Sequence, residues 1–281
     1  IFALIRDNNF DTRIVKLDNN IPANILSFSS PILLPNWDDP IKLTFNGNDL
    51  LLGCGYNSST NGISNVYFVN GSTLVVSSLP IISIPTNGRG NMFKMIVHQG
   101  KIYIPSEDMG LWVYDATNYQ PVNHIGNHQN LGPIQGLYTH SDLGLTNRIK
   151  DVSVKPNGEF LFYSDQSGEL ITSTYHSQND VFIQQSVINL SGDYKFAVSN
   201  QGNIYFADMG GSPGGIGKLD NLSTNLLLSA TGYSIVDGSN PPAQGQQYPM
   251  EIKQIPYSAA IILDDNEAIY FIDDRTHIRK Y

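Results

Sequence analysis

The chain has few cysteines and few basic residues, which thiolate metal sites and nucleic-acid-binding surfaces need in clusters. Its 281 residues include a single cysteine, Cys54, which excludes both an intrachain disulfide and a thiolate metal cluster. Cys54 lies in an apolar strand-like run, which predicts a small buried hydrophobe. Lys and Arg number 16 against 25 Asp and Glu, and no basic run occurs. A phosphate backbone is bound by clustered cations, so we exclude nucleic acid as the main partner.

Long apolar runs are also missing. None approaches the roughly 20 residues that a bilayer-spanning helix needs, which predicts no membrane span. The chain has no initiator methionine and no signal peptide, so we expect a processed chain or part of a longer one. Glu, Lys and Ala are scarce, whereas Asn, Ser, Gly, Tyr, Ile and Val are frequent. This composition disfavours long helices and favours short strands joined by tight turns.

One pattern recurs along the chain: alternating apolar and aromatic residues lead to a carboxylate, then to a loop and a second strand. The clearest copies are 1–7, 202–208 and 267–273. We place the recurring strand at six positions, which lie 43 to 66 residues apart: Phe2, Leu50, Ile102, Phe160, Asn203 and Ile269. That spacing is close to one four-stranded propeller blade plus its loops. The sequence therefore predicts an all-β fold, a single domain over 1–281 forming a six-bladed β-propeller of four-stranded antiparallel blades.

Two of these copies resemble NHL-type repeats of six-bladed β-propellers. They are Gly-Asn-Ile-Tyr-Phe-Ala-Asp at 202–208, and Ile-Tyr-Phe-Ile-Asp at 269–273 followed by His-Ile-Arg-Lys at 277–280. The resemblance implies the fold and no particular activity, because propellers carry many unrelated functions. The second unit departs from the pattern, with Gly53 and Cys54 where the acid should be. In the third unit Pro105 interrupts, and the acid moves to Glu107 or Asp108.

The repeat alignment makes the terminal blades incomplete. The chain starts inside the second strand of one blade and stops inside the third strand of another. An unfinished blade leaves unpaired backbone edges, which proteins normally avoid. Three interpretations stay open: flanking sequence is missing, a strand from another chain completes the sheet, or the alignment is wrong.

The recurring carboxylates are the candidate metal ligands. If blades stack, these residues occupy equivalent connections on one rim: Asp7, Glu107 or Asp108, Asp165, Asp208 and Asp273. One interpretation is a ring of hard oxygen ligands for Ca²⁺. The other is that each Asp accepts backbone hydrogen bonds in its own loop, and repetition favours this structural role. No cofactor is required by this prediction, and Ca²⁺ is the one candidate.

Two long segments, 118–148 and 231–256, are the predicted interaction surface, because long loops on rigid scaffolds commonly carry function. Their aromatic and imidazole groups suit contacts with protein or carbohydrate: Tyr119, His128, Tyr138, Tyr233 and Tyr248. The spacing of His124, His128 and His140 is also compatible with zinc if the first segment folds back. Four N-glycosylation sequons fall in predicted loops or turns, at Asn57, Asn70, Asn189 and Asn221.

We therefore expect a non-enzymatic binding or assembly module, extracellular or at the cell surface. Its partner is a protein, a carbohydrate or further copies of the chain joined by strand complementation into a fibre or surface assembly. The alternative is a metal-dependent hydrolase or lactonase of the six-bladed type. That function needs carboxylates on the innermost strands, and 152–154 and 196–198 offer none. A quinone-dependent dehydrogenase would need a His, Lys and Arg cluster, which we do not find.

Overall fold

The fold is all-β, and the described residues contain no helix. The computed structural model describes residues 2–6, 12–16, 27–28, 39–55, 63–85, 94–106, 110–125, 139–140, 149–164, 168–176, 181–190, 194–208, 215–220, 223–229, 261–273 and 277–280. No described element is a helix that could cross a bilayer. The chain divides into two compact units, Ile1–Lys150 and Asp151–Tyr281. The predicted single-domain organisation stays a prediction.

The first unit contains three sheets. The first sheet has the order β1-β2-β3, with strands Phe2–Arg6, Thr12–Lys16 and Ser27–Phe28. The second has the order β4-β5-β6-β7, with strands Asp39–Asn46, Asp49–Gly55, Ile63–Val69 and Ile82–Pro85. The third adds β8 to β12 in the order β12-β11-β10-β9-β8, with strands Ile96–His98, Lys101–Ser106, Gly110–Asp115, Pro121–Ile125 and Thr139–His140. All these pairings are antiparallel except β11 with β12.

The second unit repeats the same plan, its first strand starting just before the division. Its first sheet, the fourth of the chain, is β13-β14-β15-β16, with strands Ile149–Val154, Glu159–Ser164, Glu169–His176 and Val181–Asn189. The fifth is β17-β18-β19-β20, with strands Tyr194–Val198, Ile204–Asp208, Gly215–Asp220 and Ser223–Ser229. The sixth is β21-β22-β23, with strands Ile261–Leu263, Ile269–Asp273 and His277–Lys280.

Alternation along the second strands explains why the sheets stack. On β5, Leu50 and Leu52 pack towards the first sheet, whereas Leu51 packs towards the third. On β18, Phe206 packs towards the fourth sheet and Tyr205 towards the sixth. A strand with both faces buried needs a neighbouring sheet on each side. Each such apolar side chain contributes about 1.5–3 kcal/mol on burial, so stacking within each unit is strongly favoured.

The recurring strand is confirmed at its predicted places. β5, β9, β14, β18 and β22 are each the second strand of their sheets, and β1 opens the first sheet. Cys54 is fully buried, as expected. Four sheets have four or five strands, as blades do. The first and sixth have three among the described residues, so the count of six blades stays a prediction.

Two predicted boundaries were wrong. The Asn70-Gly71 pair in the sequence predicts a tight hairpin turn that leads into a strand at 73–76. These residues form no strand, and their backbone pairs with β6 through the isolated bridge between Val69 and Val76. The strand that completes the sheet is β7. The predicted loop at 118–148 begins with a turn and then contains β11, because Pro121–Ile125 pairs with β10 across a bulge.

Candidate functional site

The predicted carboxylate ligands are only partly within the described residues. Asp208 and Asp273 are the last residues of β18 and β22, so their backbones occupy equivalent positions in two sheets. Asp7, Asp108, with its alternative Glu107, and Asp165 lie outside the described residues. Within the described ranges, no group of three or more His, Cys, Asp or Glu side chains is placed to hold a metal ion. The Ca²⁺ site stays a prediction.

Of the predicted binding residues, the structure describes Tyr119. Its ring is half-buried against the core between the second and third sheets. Its backbone has a φ of +60°, and its N–H donates to the Asp115 carbonyl at 3.0 Å. The Asp115 carboxylate accepts backbone N–H bonds from Asn118 and Thr117, which lower its pKa. Tyr119 is therefore part of a fixed turn; His128, Tyr138, Tyr233 and Tyr248 lie outside the described residues.

One of the three histidines of the zinc hypothesis, His124, is buried in the core. His124 lies on β11, where its ring stacks on Trp112 with centroids 3.8 Å apart and planes 16° from parallel. A fully buried imidazole stacked in this way serves the core between strands. His140 lies on β12, where its backbone pairs with that of Ile125 on β11. His128 lies outside the described residues.

The described sequons have different surroundings. Asn189 is exposed at the end of β16. Asn70 opens a turn, and its Oδ1 accepts hydrogen bonds from Ser72 N, Thr73 N and Thr73 Oγ1 at 2.9–3.0 Å. Asn57 and Asn221 lie outside the described residues. Glycosylation at all four stays a prediction.

The segment 70–81, which we call the 70–81 loop, is held to the second sheet by specific bonds. Gly71 N donates to Asp49 Oδ1 at 3.0 Å. Ser77 Oγ accepts from Phe68 N at 3.1 Å and donates to the Leu79 carbonyl at 2.8 Å. Leu74 is buried at a φ of +59°, a conformation that L-residues adopt only under constraint. The loop is therefore a fixed surface.

This fixed loop exposes large apolar side chains. Val75 is 64% exposed and Leu79 is 72% exposed. At the same end of the sheet, Phe45 is 54% exposed and packs edge-to-face with Phe2, with ring centroids 5.6 Å apart. Exposed apolar groups on a rigid support are typical of interaction surfaces. The predicted binding residues did not include them, because single apolar residues in a loop give no periodic signal.

A second feature lies on the first strands of the second unit. Asp151 on β13 is 2% exposed, and its Oδ2 accepts a hydrogen bond from Phe196 N on β17 at 2.8 Å. β17 in turn packs beside β21. Lys195, next to Phe196, is 7% exposed. The expectation that these strands offer no carboxylate was wrong for β13, which begins at Ile149 and includes Asp151, whereas β17 carries none.

The sequence did carry a signal for these charged residues. In four of the first hairpins, opened by Asn46, His98, Lys155 and Ser199, the residue four positions before the opener is charged, whereas before Asp264 in the sixth sheet it is Ala260. These equivalent positions are Lys42, Lys94, Asp151 and Lys195. Aligning the hairpin turns would therefore have found them, whereas aligning the second strands did not.

The comparisons with known proteins concern the fold. No family model and no curated protein sequence matches this chain. The crystal structure of "a putative 6-phosphogluconolactonase" from Bacteroides uniformis aligns with a TM-score of 0.55 at 13% identity, covering 100% of this chain and 76% of that one. The WD40 β-propeller domain of Doa1 aligns with a TM-score of 0.53 at 14% identity, covering 100% and 74%. A protein of unknown function from Bacteroides caccae gives 0.53 at 10% identity, covering 96% and 81%.

These likenesses, together with the stacked antiparallel sheets, show a β-propeller fold. At identities of 10–14% they show nothing more specific. NHL-type repeats and six blades therefore stay predictions.

Proposed function

We propose that this protein is a non-enzymatic β-propeller module that binds a protein partner, outside the cell or at its surface. The observation that carries the proposal is the 70–81 loop, which presents Val75 and Leu79 to solvent from a hydrogen-bonded turn. A preorganised apolar surface loses little conformational entropy on binding, so the burial of these side chains favours association directly.

Copies of the same chain are the first partner to test. Light scattering over a wide range of concentration gives the mass, which is 31.0 kDa for a monomer. If the chain polymerises by strand complementation into a fibre or surface assembly, which is the finer prediction, the measured mass should keep growing with concentration. If it forms a closed oligomer, the measured mass should reach a plateau.

A variant pair locates the surface. Val75→Asp puts a charge on the 70–81 loop, and Val187→Asp puts the same charge at an exposed valine of β16. We expect the first to abolish association and the second to leave it unchanged. Equal effects of both variants, or a monomer at every concentration, would exclude self-association through this loop. Screening the monomer against immobilised oligosaccharides would then test the carbohydrate alternative.

The second candidate is a hydrolase or lactonase, favoured by the buried Asp151 and Lys195 on adjacent first strands. Buried charged groups are common at catalytic sites, and also in structural networks. The test is hydrolysis of 6-phosphogluconolactone with and without added Ca²⁺. Turnover that Asp151→Asn abolishes in a folded protein would overturn the non-enzymatic proposal.

A further inference from the structure

The first hairpins of the three sheets in the second unit share one turn geometry. In each, the residue that opens the turn donates its N–H to the carbonyl four residues later and accepts from the N–H three residues later. The openers are Lys155, Ser199 and Asp264, and the N···O distances are 2.8–3.1 Å. The residue that donates to the opener is at a positive φ in all three: Gly158 at +83°, Gly202 at +87° and Glu267 at +62°. Only the last has a side chain, and this conformation disfavours one.

The Glu267 side chain reaches the neighbouring hairpin. Its Oε1 accepts from Asn203 Nδ2 at 2.8 Å, and its Oε2 accepts from the Tyr205 hydroxyl at 3.3 Å. The Ser199 hydroxyl also donates to this carboxylate. One carboxylate thus binds three donors on the fifth sheet while its own backbone belongs to the sixth. These bonds compensate for the unfavourable backbone conformation.

The preceding pair of hairpins is joined differently. There, the position equivalent to Glu267 is Gly202, and a Cβ built on Gly202 would lie 3.9 Å from Pro156 Cδ. That contact between the fourth and fifth sheets is apolar and contains no titratable group.

Between the fifth and sixth sheets there is one more bond besides those of Glu267: Asn200 Nδ2 donates to Asp265 Oδ1 at 2.8 Å, in an exposed position.

Several charged or titratable groups lie near Glu267 or on the elements packed against its hairpin. Lys218 on β19 interacts electrostatically with its carboxylate, and Lys218 Nζ lies 5.8 Å from the centre of the Tyr205 ring. The hairpin of Glu267 itself carries Asp264 and Asp265, and Tyr270 donates to Asp264 at 3.2 Å. β17 carries Lys195. The nearby cation and the three donors all favour the ionised form of Glu267.

We propose that Glu267 makes the attachment of the β21–β22 hairpin to the β17–β18 hairpin acid-sensitive. Protonation removes the charge that the three donors bind, while the unfavourable backbone conformation of Glu267 stays. The sixth sheet is then held more weakly, and its first hairpin opens more often.

The sign follows from the charge balance. Hydrogen bonds from Ser199 and Asn203 hold the pKa of Glu267 below its ordinary value of 4.5. A carboxylate with a lowered folded-state pKa contributes its full stabilisation above the unfolded-state value. It loses that contribution as the pH falls through the folded-state pKa. The weakening is therefore confined to acid below about pH 4.5.

Hydrogen exchange on the full chain tests the proposal. Protection of peptides covering 261–273 is compared with that of 149–164 in the same molecule, from neutral pH down to about pH 3 and corrected for intrinsic rates. We expect the first region to lose roughly threefold more protection than the second in acid. In Glu267→Gln, the region 261–273 should already be weakly protected at neutral pH. It should then show no additional loss of protection relative to 149–164 in acid, which is the acid step of the native protein. The matched control is Glu159→Gln, which removes a carboxylate paired with Lys155 at 2.6 Å on the equivalent hairpin. It should keep the step.

Two results would overturn the proposal: equal losses in both regions of the native protein, or an acid step that survives in Glu267→Gln. If that variant does not fold, Glu267→Gly gives the same test with the residue found in the two equivalent turns. These measurements do not involve the 70–81 loop, so their outcome is independent of the proposed function.

Discussion

The carboxylate of Asp151 on β13 accepts the backbone N–H of Phe196 on β17, at 2.8 Å between Oδ2 and N. β17 is the first strand of its sheet, so one side of its backbone has no strand partner in that sheet. Asp151 satisfies one of these amides from the neighbouring sheet, where an unpaired buried N–H would cost stability. The Asp151 carboxylate thus supplies the hydrogen-bond acceptor that a further strand beside β17 would otherwise provide.

Asp151→Ala should destabilise the protein by about 1–3 kcal/mol, because the buried Phe196 amide then has no acceptor from this side chain. Asp151→Asn keeps a carbonyl oxygen and should cost less. Urea unfolding monitored by circular dichroism measures both. As a control, Asp265→Ala removes an exposed carboxylate and should stay within about 0.5 kcal/mol of the native protein. Equal costs for Asp151→Ala and Asp265→Ala would show that the bond to Phe196 is unimportant.

The turn at Glu267 predicts an unusual order of two variants. Glu267→Gly and Glu267→Ala both remove the carboxylate, but only glycine adopts the φ of +62° without a Cβ penalty. Glu267→Gly should therefore be more stable than Glu267→Ala by about 1 kcal/mol at neutral pH. Thermal unfolding of the two proteins under identical conditions checks this. Alanine equal to or better than glycine would refute the backbone argument.

Gly71 sets the position of the 70–81 loop. A Cβ on Gly71 would overlap the carbonyl oxygen of Asn48, so Gly71→Ala must move the loop away from the β4–β5 hairpin. We expect a loss of about 1–3 kcal/mol and faster exchange of the Gly71 region. Ser72→Ala, at the exposed neighbouring residue, should be nearly neutral. Should Gly71→Ala match Ser72→Ala, the loop would not be held as tightly as its bonds indicate.

Asn70 combines a turn role with a sequon, and a single substitution separates them. Asp at position 70 keeps an oxygen for the N–H groups of Ser72 and Thr73 but cannot be N-glycosylated. Asn70→Asp should therefore keep native stability, whereas Asn70→Ala should lose about 1 kcal/mol. In protein from a eukaryotic secretory host, intact mass before and after glycosidase should show one fewer glycan in Asn70→Asp. An unglycosylated Asn70 in the native chain would end this prediction.

Added Zn²⁺ should not raise the melting temperature, because the His124 ring is buried against Trp112. His124→Ala should instead destabilise the core by about 2–4 kcal/mol and shift tryptophan emission to the red. A thermal-shift titration with and without the metal, on both proteins, measures this. A clear zinc-dependent rise that His124→Ala abolishes would restore the zinc hypothesis.

The recurring strands were predictable because their alternation is a local property. β18 alternates Ile204 and Phe206 with Tyr205 and Ala207, and both sets are buried between stacked sheets, as the pattern requires. The prediction of a strand at 73–76 was wrong because Asn70 and Gly71 resemble the turn of a two-residue hairpin. The turn instead closes through Leu74 N and Asn70 O at 2.8 Å, and β7 completes the sheet.

The sequence by itself determined the all-β class, the strand that recurs in each sheet and the burial of Cys54. All of these follow from short-range alternation and composition. Tertiary structure alone decided which polar residues meet. Asp151 and Phe196 are 45 residues apart and Glu267 and Asn203 are 64 apart, and each pair is joined because stacked sheets bring equivalent hairpins together. No local pattern encodes such a contact, because it depends on the packing of two sheets that each form independently.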